Sequence, residues 1–105
     1  MDLTITFRHS EPSAALRQKI EARVGKLNKY LMKATQAHVI LKVEKARHIA
    51  EITLLENHHT LFAEAASHDM YASFEEALTK MEHQVKKLKE KVKSHHTVKG
   101  QKFPY

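Results

Sequence analysis

Residues 3–7 alternate, with Leu3, Ile5 and Phe7 on one side and Thr4 and Thr6 on the other. That period of two predicts a half-buried strand. Glu11-Pro12-Ser13 reads as a turn, and Ser13 is placed to cap a helix. The period then lengthens. Leu16, Ile20, Val24, Leu27 and Leu31 recur every three or four residues, the mark of an amphipathic helix of roughly five turns. Gly25 lies inside that helix, where it costs about 1 kcal/mol relative to alanine and has no local reason. From 36 to 45 the period returns to two, with Ala37, Val39, Leu41 and Val43 on one face. Residues 47–56 repeat it, with Ala50, Ile52 and Leu54 inward and Glu51 and Thr53 outward. Asn57-His58-His59 is a short turn before a fourth strand over 60–66, so 47–66 predicts a hairpin. Ser67 or Asp69 opens a last helix, and Ser73 with Glu76 matches a capping box one turn later. Its apolar stripe is Phe74, Leu78, Met81, Val85, Leu88 and Val92.

The predicted order is β-α-β-β-β-α, an α+β two-layer sandwich. Both helices must bury their stripes on one sheet face, because the other carries Thr, His, Lys and Glu. A right-handed crossover between the first two strands makes the helices parallel and the sheet mixed. Residues 1–94 form one domain, and 95–105, HHTVKGQKFPY, follow as an aperiodic, flexible basic tail.

Composition narrows the class further. A chain of 105 residues with 42% apolar and 29% charged residues has the makeup of one ordinary globular domain. No apolar run reaches the length of a membrane span, and MDLTITFRHS lacks the layout of a signal peptide. With no cysteine, a reducing cytoplasm is the expected location. The net charge of +6 is unevenly distributed. Residues 13–33 carry six bases against Glu21, and residues 80–105 carry eight against Glu82 and Glu90. Residues 34–79 hold three bases against seven acids. Such segregation points to a directed field.

On a helical projection Lys19, Arg23 and Lys26 share one flank of the first helix, next to Tyr30. Lys80, Lys87 and Lys91 share a flank of the last helix beside Gln84. Lys86, Lys89 and Lys93 lie on its other flank, partly offset by Glu82. Two basic rows on one layer form a surface that can track phosphates. Lysine-rich helix faces are commonly only solvated. Against that, only two acids face eight bases after residue 79, so ion pairs within the last helix cannot neutralise its face. The stripe from 74 to 92 also fits a coiled-coil seam, but it is shorter than three heptads and the strands need a cover, so core is favoured. Nine histidines include the pairs His58-His59 and His95-His96, neither at the spacing of a metal site. No glycine-rich phosphate loop and no nucleophile–base pattern is present, so neither catalysis nor a cofactor is expected.

VILKVEKARHIAEITL (39–54) followed by DMYASFEEALTKMEHQVKKLKEKVK (69–93) resembles the hibernation-promoting factors, or ribosome-associated inhibitors. ALRQKIEARVGKLNKY (15–30) is similar to that family's first helix, and the likeness spans about residues 2 to 93. The resemblance implies the same β-α-β-β-β-α fold. It also implies a monomer that binds ribosomal RNA in the decoding region of the small subunit, with no membrane or DNA partner. There it would block transfer and messenger RNA during starvation or stationary phase. Carried over, the implied RNA contacts are Arg17, Arg23, Lys26 and Lys29, then Lys80, His83, Lys86, Lys87 and Lys91. His83 stands where family members often carry arginine, and an imidazole does not replace a guanidinium fork. The chain stops short of the second, dimerising domain of long members, so a short form is expected. Two other classes compete. One is a general double-stranded-RNA-binding domain, from the β-β-β-α outline of the last four elements. The other is a protein-interaction module that uses the 74–92 stripe.

Overall fold

The computed structural model describes residues 2–29, 34–56 and 58–97. Six elements follow in the expected order: β1 (Asp2–Arg8), α1 (Ala14–Asn28), β2 (Ala34–Glu44), β3 (Arg47–Glu56), β4 (His59–Ser67) and α2 (Met70–Thr97). Tyr30, Leu31, Asn57 and the tail beyond Thr97 lie outside the described residues, as do the side chains of Val92 and Lys93.

The strands lie side by side in the order β1-β2-β3-β4. β1 runs parallel to β2, and the other two pairs are antiparallel. Register turns the alternating residues into rows across the sheet. Ile5, Val39, Ile52 and Ala63 form one row, and Phe7, Leu41, Ala50 and Ala65 form the next. Val39, Leu41, Ala50, Ile52 and Leu54 are buried. α2 packs over β3 and β4, where the small Ala63 and Ala65 leave room for its large side chains. Phe74, Leu78 and Met81 are fully buried there, and Val85 nearly so. The stripe from Phe74 to Val85 is therefore core, and the fold of a single chain uses up that part of the seam that a zipper would need.

α1 begins as expected, with the Ser13 hydroxyl accepting the Leu16 N–H at 3.1 Å. Its buried face is Leu16, Ile20, Val24 and Leu27. α2 starts earlier than its capping-box signal. Asp69 occupies the cap position, and its Oδ2 accepts the Ala72 N–H at 3.2 Å. Ser73 is fully buried, and its hydroxyl donates to the His48 carbonyl at 2.6 Å, which ties the first turn of α2 to β3. A serine that pairs with glutamate in the sequence thus serves tertiary structure, because a buried hydroxyl requires a partner. The helix continues through Thr97, three residues past its expected end at 94.

The far side of the sheet is uncovered by helices. Thr4, His38, Thr53 and Phe62 form one of its rows, and Thr6, Ile40, Glu51 and Glu64 the next. Thr6 Oγ1 and His38 Nε2 lie 2.9 Å apart, and Lys42 Nζ lies 2.9 Å from Glu51. The hydrogen bond to Glu51 and the charge of that carboxylate raise the Lys42 pKa above its ordinary value. Phe62 is 48% exposed on this face.

Candidate nucleic-acid interface

The helical layer carries the bases, but it does not present them all alike. Lys19 and Arg23 turn toward α2. Arg23 Nη1 donates to both oxygens of Glu75, at 2.6 and 2.8 Å, and Lys19 Nζ lies 3.1 Å from the same carboxylate. Arg23 Nη2 is also 3.9 Å from Glu82. Lys19 further stacks 5.5 Å from the centre of the Tyr71 ring. Burial pushes the Glu75 carboxyl upward, yet the hydrogen bonds and charges of Lys19 and Arg23 outweigh it and hold the group below its ordinary value. Positions 19 and 23 meet 75 and 82 in ascending order, so the two helices run parallel, as the crossover requires.

The other flank of α2 wraps the free edge of β4. Lys80 Nζ donates to the Glu64 carbonyl at 3.0 Å and stands 3.7 Å from Glu76. One turn on, Gln84 Nε2 donates to the Phe62 carbonyl at 2.6 Å. Lys87 and Lys91 continue this row, exposed. Lys86 and Lys87 line a shallow depression with His83 and Glu90. His83 and Lys86 also rim a groove floored by Leu27 and Val85, where the end of α1 meets α2.

The nine expected contact residues therefore separate by partner. Arg23 is engaged across the helix seam and Lys80 at the sheet edge. Arg17 lies over the Phe7 ring at 5.7 Å, on the β1 side of the layer. Lys26, Lys29, Lys86, Lys87 and Lys91 are exposed, and among the described residues none has a carboxylate within ion-pair reach. Gln84, the edge-capping partner of Lys80, was legible only as a polar neighbour of the basic row. No group of three His, Cys, Asp or Glu side chains among the described residues is arranged to hold a metal. No described helix is long and apolar enough to cross a membrane.

Fold and charge together define the class: a small α+β domain with two parallel helices on a mixed sheet and unpaired cations along the helical layer. The chain belongs to the Sigma 54 modulation protein / S30EA ribosomal protein family, whose model matches residues 3–93. It is 38% identical to the ribosome hibernation promoting factor of Escherichia coli K12 over 95 residues, 90% of this chain and all of that protein. Identity to the Pseudomonas putida KT2440 protein of the same name is 33%, over 90% of this chain and 92% of that one. Among solved structures, a ribosomal subunit interface protein from Coxiella burnetii superposes with a TM-score of 0.76 at 25% identity, covering 85% of this chain and 98% of its own. The N-terminal domain of Thermus thermophilus Protein Y has the same fold, with a TM-score of 0.75 at 24% identity over 84% and 99% of the two chains.

Proposed function

We propose that this protein binds the small ribosomal subunit in its decoding region and holds the ribosome inactive by occluding the transfer and messenger RNA sites, under starvation or in stationary phase. The observation that carries this reading is the set of exposed cations without acidic partners, Lys26, Lys29, Lys86, Lys87 and Lys91, on the helical layer of a hibernation-factor fold. Affinity comes mainly from neutralised phosphates, and selectivity from the shape of folded RNA. Occlusion is steric and requires no catalytic group.

Two features favour this reading over its competitors. A general duplex-RNA binder would not share nine-tenths of its length with ribosome hibernation promoting factors, 90% of this chain being covered. A zipper would need the stripe that α2 spends on the core. The test is sedimentation of the purified protein with bacterial ribosomes through sucrose gradients over a salt series. Near-stoichiometric, salt-sensitive comigration with the small subunit is expected. Changing Lys86, Lys87 and Lys91 together to glutamate should abolish it with circular dichroism unchanged, since all three side chains are exposed. Lys80 is left in place because it caps the sheet edge. Retained binding by the triple variant, or equal affinity for arbitrary duplex RNA, would refute the proposal.

A further inference from the structure

Gly25 is the one helix-interior glycine among the described residues, and the fold gives it no reason to be there. Its backbone is helical and needs no left-handed freedom. A Cβ built on it meets nothing within 4 Å, so no neighbouring side chain or strand demands its smallness. The position is exposed, on the side of α1 opposite Leu16, Ile20, Val24 and Leu27. Glycine in such a place weakens the helix relative to any ordinary residue. A local rule broken without structural return is expected where function sets the residue.

Its surroundings say what that function is. Lys29 lies one turn further along the same line of α1, and Lys26 is adjacent. Both are exposed and have no acidic partner among the described residues. Ala22, one turn before, is also exposed and adds only a methyl group. Gly25 and Ala22 thus leave a low stretch of helix surface, with the exposed carboxylate Glu21 on its N-terminal side and the unpaired cations Lys26 and Lys29 on its C-terminal side. Phosphates drawn by Lys26 and Lys29 bring an RNA strand down onto this turn, and only a missing side chain lets the sugar–phosphate backbone reach the helix backbone itself.

We infer that Gly25 is a close-approach residue, a gap in the side-chain layer of α1 that admits the sugar–phosphate backbone of RNA. The inference rests on the ribosome-binding reading and adds to it a contact made by shape instead of charge. It separates cleanly from charge neutralisation, because filling the gap with an uncharged side chain removes no cation.

The experiment compares wild type, Gly25→Ala and Gly25→Gln, each as the full chain, by thermal unfolding and by ribosome sedimentation over a salt series. Alanine should raise the melting temperature by roughly 3–8 °C, and glutamine by less, since both are better helix formers than glycine. Glutamine should nevertheless weaken binding on the order of tenfold, the scale of one good contact, with alanine between it and wild type. The dependence of log affinity on log salt should keep its slope in all three, because the number of neutralised phosphates is unchanged. A glutamine variant that binds as tightly as wild type overturns the inference, as does a loss that comes with a lower melting temperature or a changed slope. If wild type itself does not sediment with ribosomes, the ribosome reading fails first and the RNA contact falls with it.

Discussion

Lys19 and Arg23 on α1 and Lys87 and Lys91 on α2 carry the same charge, and the fold uses them differently. The first two lie in the seam between the helices, bound to Glu75 at 2.6 to 3.1 Å, and Arg23 also faces Glu82. The last two stand exposed, and neither makes an ion pair among the described residues. A seam of alternating charge holds two helices together and presents little net field. An unpaired row does the reverse, since it adds nothing to packing and leaves its whole charge for a ligand. Basic residues counted along a chain therefore overstate the charge that a polyanion meets.

The comparison can be broken most directly by neutralising each pair in turn. Lys87→Gln with Lys91→Gln should weaken ribosome binding and flatten the salt dependence by about 1.8 in log–log slope, if each lysine neutralises one phosphate. Lys19→Gln should leave the slope unchanged. An equal loss from Lys19→Gln would mean that the seam opens to RNA on binding, and the distinction drawn here would be wrong.

Glu75→Gln sharpens the other side of the comparison, because it removes the hub of the seam. A destabilisation of about 1 kcal/mol in urea unfolding at neutral pH is expected, near the upper end for a partly exposed ion pair. Its pH dependence has a defined sign. The folded carboxyl titrates below its ordinary value of 4.5, so its contribution is complete above that value and is lost as pH falls through the lowered one. The gap between wild type and variant should thus be full at neutral pH and close progressively in the acid range below the usual glutamate value. A gap that persisted at low pH would indicate packing, not charge, as the role of Glu75. Glu82→Gln should have the smallest effect, less than about 0.5 kcal/mol of stability, because its contact with Arg23 is 3.9 Å and its side chain is 45% exposed. The change should tighten ribosome binding slightly, and weaker binding would argue that Glu82 itself touches the RNA.

The architecture was legible in the sequence because periodicity carries it. Every strand and helix lies within a few residues of its expected position, and Val39, Ile52, Phe74 and Met81 face inward as their periodicity requires. The unpaired rows were legible too, since Lys87 and Lys91 lie four apart and Glu90 alone stands at helical spacing from Lys87. The seam was not. Glu75 stands 52 positions from Arg23 in the chain and belongs to the acidic stretch 34–79, so it counted as part of the opposite field until the fold brought it back against α1. Asp69 was legible as one of two residues able to open α2, and it caps the helix, whereas the role of Ser73 was not legible, because its buried partner is a β3 carbonyl invisible to local spacing. The cost of Gly25 could be seen from helix propensity, while its freedom from any steric demand needed the surrounding atoms.

The two side chains that reach from α2 to β4 have a consequence for the protein's behaviour at high concentration. An outer strand offers a row of unmet carbonyls and amides, and a second chain can join there to start a growing fibre. Lys80 and Gln84 occupy the Glu64 and Phe62 carbonyls, two positions apart along that margin. A newcomer strand would have to displace an ammonium and an amide, and would find a positive charge where its own backbone must lie. α2 thus obstructs strand addition at two positions of the β4 margin.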